Sequence, residues 1–303
     1  MENIKDYMRI GIIQSMAFPS SFKDGQSLLE SFKKVAADDY FDVVEIGHIK
    51  DNSIRDEIKK VIEVSKLDVS YAGHSRLLSN GLNINDLNEE GRKNALAALE
   101  EGIDEAYDMN AESFAFLSGR YDEDCKEEAL QALIQSTKEL CSYAQQKGGM
   151  PVLLEVFDYN IDKKSLLGPV ALVERYVAEV SKEYDNFGIM VDLSHLPMLG
   201  ETPRQAILPI AKHVKHVHIG NTVIKDPSME AYGDEHPRFG FPNSENNVKE
   251  VTEFLKVLLE IGYLNKENRP ILSFEIKPRP YEDSEVIIAG AKRVLRKAWS
   301  KVF

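Results

Sequence analysis

Short apolar runs alternate with longer amphipathic segments along the whole chain. Buried strands read as brief runs of apolar and β-branched residues, helices as an apolar stripe returning every three or four positions. On that basis residues 9–14 (RIGIIQ) predict a first strand and 27–39 a helix, then 43–47 (VVEIG) a second strand and 53–66 a helix. The alternation continues with strands at 68–73, 113–119, 151–157, 187–194, 215–221 and 270–276. Helices are expected over 88–109, 169–184, 201–213 (short, broken near Pro209), 247–261 and 283–302. After strand four, Leu130, Leu133, Thr137, Cys141 and Ala144 share one helical stripe. Eight strands, each followed by a helix, with no linker or composition shift, predict an α/β fold: a single (β/α)8 TIM barrel over 1–303. A doubly wound open sheet would carry a glycine-rich phosphate turn after strand one, and IIQSMAFPSS has no glycine. Two connections are enlarged, at about 73–87 and 220–246. In a barrel, loops that follow strands lie on the C-terminal face, where active sites sit.

The polar residues that end these strands are the informative ones. Glu155, Asp192, His218 and Glu275 close apolar runs on strands five, six, seven and eight. Side chains alternate along a strand, so all four can face the barrel mouth. Three carboxylates converging there repel one another unless a positive charge sits between them. One divalent cation is the simplest answer, and three oxygens with one imidazole suit Mn²⁺, with Mg²⁺, Co²⁺ or Zn²⁺ as alternatives. A solvated rim is the usual fate of one such Glu; four on consecutive strands favour a site.

Weaker candidates surround these four. His195, three residues after Asp192, is either a substrate group or a turn cap, and His74 at the end of strand three is expected to line the pocket. Glu45 and His48 near strand two belong to the same class; His216 reads as a hydrogen-bonded core histidine and His213 as a solvated helix end. Asp234 and His236 in GDEHPRFG have chelating spacing, which a surface turn would share. Arg120 after strand four could hold an oxyanion or form a helix-terminal salt bridge. Arg238 and Lys277 could likewise meet a phosphate or carboxylate, or form rim salt bridges, and Asp158 is counted with the expected substrate contacts.

Composition narrows the partners. The 303 residues carry 37 basic and 50 acidic side chains, a net charge of −13, with 43% apolar residues. That is a globular composition, and its acidity weighs against a nucleic-acid partner, whose phosphates need clustered Lys and Arg. Cys125 and Cys141, if both are on one helix, lie about 24 Å apart, too far to pair. Two unpaired thiols suit a reducing compartment, and MENIKDYMRIGII lacks a signal peptide's basic and apolar regions, so a cytoplasmic location is expected. No apolar stretch approaches the ~20 residues of a membrane span.

The motifs LLEVFD, VDLSH, HVHIGN and SFEIKP, in that order, resemble the xylose isomerase-like TIM-barrel superfamily of sugar isomerases and epimerases over nearly the whole chain. The resemblance to its ketose 3-epimerase branch implies one divalent ion, manganese for preference, held by Glu155, Asp192, His218 and Glu275. It further implies that Glu155 and Glu275 are the acid/base pair and that His195 contacts a keto-sugar or related polyol ketone. Relatives that pair imply a homo-oligomer, and other branches a small partner subunit. Two alternatives come from the same superfamily. One is a lyase cleaving keto-glycosides by β-elimination. The other is an endonuclease IV-like apurinic-site nuclease with three zincs, but FLSGR stands where its strand-four histidine would be.

Overall fold

The computed structural model describes residues 2–303. Eight parallel strands close into a barrel in sequence order. They are β1 (Arg9–Ile13), β2 (Val43–Ile46), β3 (Asp68–Ala72), β4 (Phe114–Leu117), β5 (Val152–Glu155), β6 (Phe187–Asp192), β7 (Val214–Gly220) and β8 (Ile271–Glu275). The shell helices are α1 (Gly25–Ala36), α2 (Asn52–Ser65), α3 (Glu89–Asp108), α4 (Lys126–Lys147), α5 (Val170–Val180), α6 (Pro203–Ile207), α7 (Val248–Glu260) and α8 (Ser284–Trp299). The expected (β/α)8 architecture is therefore present, and the segment 201–213 is broken as anticipated, into α6 and a 3-10 turn over Leu208–His213.

The helices start where short polar side chains can take up free backbone N–H groups. Asn88 caps α3, Asp283 caps α8, and Thr202 and Asn247 form reciprocal capping boxes with Gln205 and Glu250. Their apolar stripes bury against the outer face of the strands, where one continuous core includes Phe32, Leu99, Leu133, Val177, Phe254 and Leu295. Inside the barrel the packing is different. Ala115, Leu153 and Met190 form a small separate cluster, beside buried Ser70, Ser273, Glu45 and His216. A register shift in the β6–β7 pairing sets Met190 opposite His216 and Asp192 opposite His218. His216 and His218, two residues apart, then face inward together.

Cys125 lies in a 3-10 turn just ahead of α4 rather than on it, and Cys141 is buried within α4. Both are free thiols. No helix among the described residues is long and apolar enough to cross a membrane.

Candidate active site

The C-terminal ends of β5, β7 and β8 bring Glu155, His218 and Glu275 together, with one ligating atom from each within 4.8 Å of the others. His218 Nδ1 lies 2.8 Å from Glu275 Oε2 and 3.5 Å from Glu155 Oε1. Gly220 lets the strands come this close. A Cβ there would sit 2.8 Å from the Glu275 carbonyl oxygen and 3.0 Å from His236 Nδ1. Below this triad, Glu45 from β2 lies 3.2 Å from His218 Nε2 and 2.8 Å from His216 Nε2. Burial pushes the Glu45 carboxyl up, but the two imidazoles outweigh it and hold the group well below its ordinary range. Glu45 thus supports His218 from beneath, and His216 is the hydrogen-bonded core histidine expected.

Asp192 ends β6 and stands one imidazole away from the triad. His236 is 3.6 Å from Asp192 Oδ2 and 3.5 Å from Glu275 Oε1. Asp192, His195 and His236 form a second group of converging ligating atoms. The Asp192 carboxylate accepts from the Ser194 backbone N–H at 2.9 Å and from the Ser194 hydroxyl. Burial, then the Glu275 carboxylate, push its carboxyl up to about 6.

Asp234 and His236 enter from the loop over 220–246, which is ordered by two asparagines. Asn221 Oδ1 accepts from the Asn246 backbone at 2.7 Å, and Asn246 donates to the Leu193 and Gly220 carbonyls. Asp234 Oδ1 is 3.0 Å from His195 Nε2 and 2.7 Å from His236 Nε2, and its other oxygen accepts from Lys163. His236 holds a left-handed backbone at φ 45° while its carbonyl accepts from Lys277 N at 2.7 Å. Such strain in a non-glycine residue is sustained only where surrounding contacts fix it. Burial opposes protonation of these histidines. The Asp234, Asp192 and Glu155 carboxylates nonetheless raise His195 to about 10, and Glu275, Asp234 and Asp192 raise His236 to about 9.

The remaining expected residues divide into two sets. His74, Lys277, His48 and Glu155 line the same cavity of about 820 Å3. His74 is the first residue of a short helix (His74–Leu78) rather than the last of a strand, and its Nε2 lies 2.9 Å from Glu155 Oε2. His48 Nδ1 is anchored 2.6 Å from Glu105, which Arg76 also binds. Asp158, Arg120 and Arg238 do not reach the cavity. Asp158 is fully buried and accepts backbone N–H groups of Ile161, Asp162 and Lys163, so its carboxylate organises the loop after β5. Arg120 donates to the Lys163 carbonyl at 3.2 Å on the rim. Arg238 pairs with Glu282 at 2.9 Å and lies over Phe241. His213 is half-exposed at the end of its 3-10 turn.

Two contributors lay outside the sequence expectations. Lys163 lines the cavity and pairs with Asp234; burial disfavours its charge, but Asp234 overrides that and raises its pKa. Phe157 packs on both His195 (ring centroids 4.3 Å apart) and His74 (5.8 Å). Phe157 follows Glu155 by two residues, a same-face spacing that was legible; nothing in the sequence pairs Lys163 with a partner 71 residues away.

The residues fit a divalent cation on structural grounds. Glu155 Oε1 and His236 Nδ1 are buried with no hydrogen-bond partner, a state that costs about 1–3 kcal/mol each unless something else engages them. Burial raises Glu155, but His218 and His74 outweigh it and hold its carboxyl below the ordinary range, so an anionic donor faces the cavity. The donor set of carboxylate oxygens and imidazole nitrogen is the chemistry such ions take. At strand four, Ser118 is buried with its hydroxyl accepting from Leu167 N at 2.9 Å, so that strand adds no ligand.

Residues 33–298 match the xylose isomerase-like TIM barrel family, and the chain belongs to that family. Among solved structures it is similar to a D-tagatose 3-epimerase-like protein (20% identity, TM-score 0.73, covering 97% of this chain and 98% of that one). It is also similar to 3-keto-D-glucoside 4-epimerase from E. coli (17%, TM-score 0.69, covering 97% and 99%). A third is D-psicose 3-epimerase from Clostridium cellulolyticum H10, solved with D-tagatose (16%, TM-score 0.70, covering 97% and 99%). A comparison with curated proteins gave no match.

Proposed function

We propose that this chain is a divalent-metal-dependent sugar isomerase or epimerase acting on a keto-sugar or related polyol ketone. The observation that carries the reading is the convergence of Glu155, His218 and Glu275 from three strands onto one side of the cavity. The similar solved structures, named as epimerases of ketoses and of a keto-glucoside, support the same class. Glu155, His218 and Glu275 would hold the ion, with Asp192 as fourth ligand, and manganese is the ion we expect. When bound, the ion supplies Lewis-acid polarisation of the substrate carbonyl, which acidifies the adjacent C–H.

The residues of the chain do the rest. Glu155, kept anionic, removes the proton from the carbon beside the carbonyl, and Glu275 returns a proton on the opposite face. His218 and Glu45 fix the height of the two carboxylates relative to each other. His195 and His236 flank Asp234 and hold its carboxylate beside the strand-end residues. His195 also has its Nδ1 on the Val156 carbonyl, and neither histidine lines the cavity, so they position the site and do not touch the sugar directly. Phe157 covers His74 and His195 and keeps water from that flank. Lys277 and Glu235 pair at 3.0 Å on the rim. Two free thiols and a net charge of −13 accord with a cytoplasmic protein whose partner is a small molecule.

The test is deuterium exchange from solvent at the carbon next to the carbonyl, across a panel of ketoses. Glu155→Gln and Glu275→Gln should each slow it by about 10²–10⁴-fold. Wild-type exchange in either variant would overturn the two-carboxylate reading. Elemental analysis should find about one divalent ion per chain.

A further inference from the structure

Of the second group of converging ligating atoms, Asp192, His195 and His236, only Asp192 is assigned to the single ion. The other two are nonetheless arranged as ligands. His195 Nδ1 is fixed by the Val156 carbonyl at 2.8 Å, which turns Nε2 toward Asp234 Oδ1 (3.0 Å) and Asp192 Oδ2 (3.8 Å). His236 Nδ1 is buried without a hydrogen-bond partner, 3.6 Å from Asp192 Oδ2. Two imidazoles with two carboxylates are a donor set that zinc and cobalt take. Lys163 stands over this group. Asp234 Oδ1 lies within 3.0 Å of both histidines and Oδ2 accepts from Lys163 Nζ, so neither oxygen is left for an ion. Asp162, Lys163 and Asp234 line the cavity, whereas Asp192, His195 and His236 do not; they lie behind that pair. The ammonium is placed there by its own loop. The buried Asp158 carboxylate takes the backbone N–H groups of Ile161, Asp162 and Lys163, and Arg120 donates to the Lys163 carbonyl. Asp162 Oδ2 accepts from Asp234 N at 3.0 Å, which ties this loop to the 220–246 loop where Lys163 meets Asp234.

We infer that Lys163 is the protein's own cation in the place of a second metal ion, and that it holds the site to one ion. The inference rests on the one-ion reading above and adds what fixes that number. An ion ligated by Asp234 would lie next to the Lys163 ammonium, and like charges that close repel strongly inside a protein. The ammonium compensates Asp234 without offering the open coordination positions of a metal. The difference decides the chemistry. Two ions about 3.5–4 Å apart clamp the attacking and leaving oxygens of a hydrolytic displacement. One ion beside two carboxylates polarises a carbonyl and leaves the proton transfer to the side chains. Lys163 keeps this barrel mouth from becoming a paired-ion centre, and a substitution that removes its charge turns it into one.

The experiment strips the protein with a chelator, saturates it with Zn²⁺, removes loosely held ion by gel filtration and counts metal per chain. Wild type should hold about one ion, and Lys163→Met and Lys163→Gln about two. Lys163→Arg keeps the charge and should stay at about one. The second ion should bind at least about a hundredfold more tightly in Lys163→Met than in wild type. Removing the ammonium leaves Asp234 uncompensated, so metal-free Lys163→Met should melt below wild type and regain the loss on adding Zn²⁺. Asp234→Asn added to Lys163→Met should return the count to about one. Neutral variants that hold only the wild-type number, a wild type that already holds two, or a second ion that survives Asp234→Asn each overturn the inference. The difference between variant and wild type tests Lys163, and the wild-type count tests the one-ion reading. A wild type without ion beside a Lys163→Met with one supports Lys163 as the resident cation and overturns the metal-dependent reading; one ion in both supports that reading and overturns the inference.

Discussion

Glu155 and Asp158 are three residues apart on the same stretch of chain, yet their carboxylates meet different fates. Glu155 leaves one oxygen buried and unpartnered at the cavity, whereas both oxygens of Asp158 are taken by N–H groups of its own loop. Asp158→Asn should therefore act on stability rather than on proton transfer. Losing charge-assisted bonds in a buried loop costs about 1.5–3 kcal/mol, readable in a denaturant titration at unchanged exchange rate per folded molecule. The thiols give a second residue-level expectation. Burial pushes Cys141 up to about 12. In the native protein at pH 8 only Cys125 should react with a thiol reagent, and both should react after unfolding. The sign for stability follows. An unfolded thiol ionises near pH 8.5–9, so the contribution of Cys141 is complete below that pH and declines as pH rises toward 12. At this scale Glu155, His218 and Glu275 were legible because each interrupts an apolar run at a strand end. Asp158 was not, because what consumes its charge is backbone, which leaves no trace in residue type.

Among the elements, the eight strands were readable from their apolar runs, and the long helices from their stripes. The short helices Gln14–Ala17, His74–Leu78 and His195–Leu199 were not, because four or five residues are too few to show a period. Their positions nonetheless decide function, since His74 and His195 each open one of them. The long loop was expected to matter, and its Asp234 and His236 do meet the strand-end residues; what could not be read was the asparagine bracing by Asn221 and Asn246 that carries them there. Gly220 is the hinge of that arrangement. Gly220→Ala places a methyl against the Glu275 carbonyl and His236, so it should lower metal affinity and exchange rate together. We expect a loss of about tenfold or more in each, with far-UV circular dichroism unchanged; a variant with wild-type metal affinity would show that the contact is slack.

For the molecule as a whole, stability should depend on the ion more than the size of the core suggests. Several carboxylates converge on the mouth, and without a cation their compensation falls to His195, His218 and His236, which burial would rather keep neutral. An ion that binds only the folded chain at a hundredfold excess over Kd adds about 2.7 kcal/mol, so for a chain of this length chelation should lower Tm by roughly 4 °C. Equal Tm values with and without chelator would argue against a tightly held ion. The net charge of −13 is barely altered by one divalent ion, so most of the acidity belongs to the outer surface.

The pairing of β1 with β8 has a consequence in time. Arg9 meets Ile271 across that seam, so the barrel closes only when residues about 260 apart in the chain come together. At a ribosome adding about 5–20 residues per second, the free edge of β1 waits roughly 13–50 s for its partner to be made. Through that interval the nascent chain presents an open parallel sheet whose unpaired N–H and C=O groups can recruit a strand from another molecule. The most vulnerable moment of this protein comes before its last strand exists, and its yield in a cell should depend on whatever shields that edge until then.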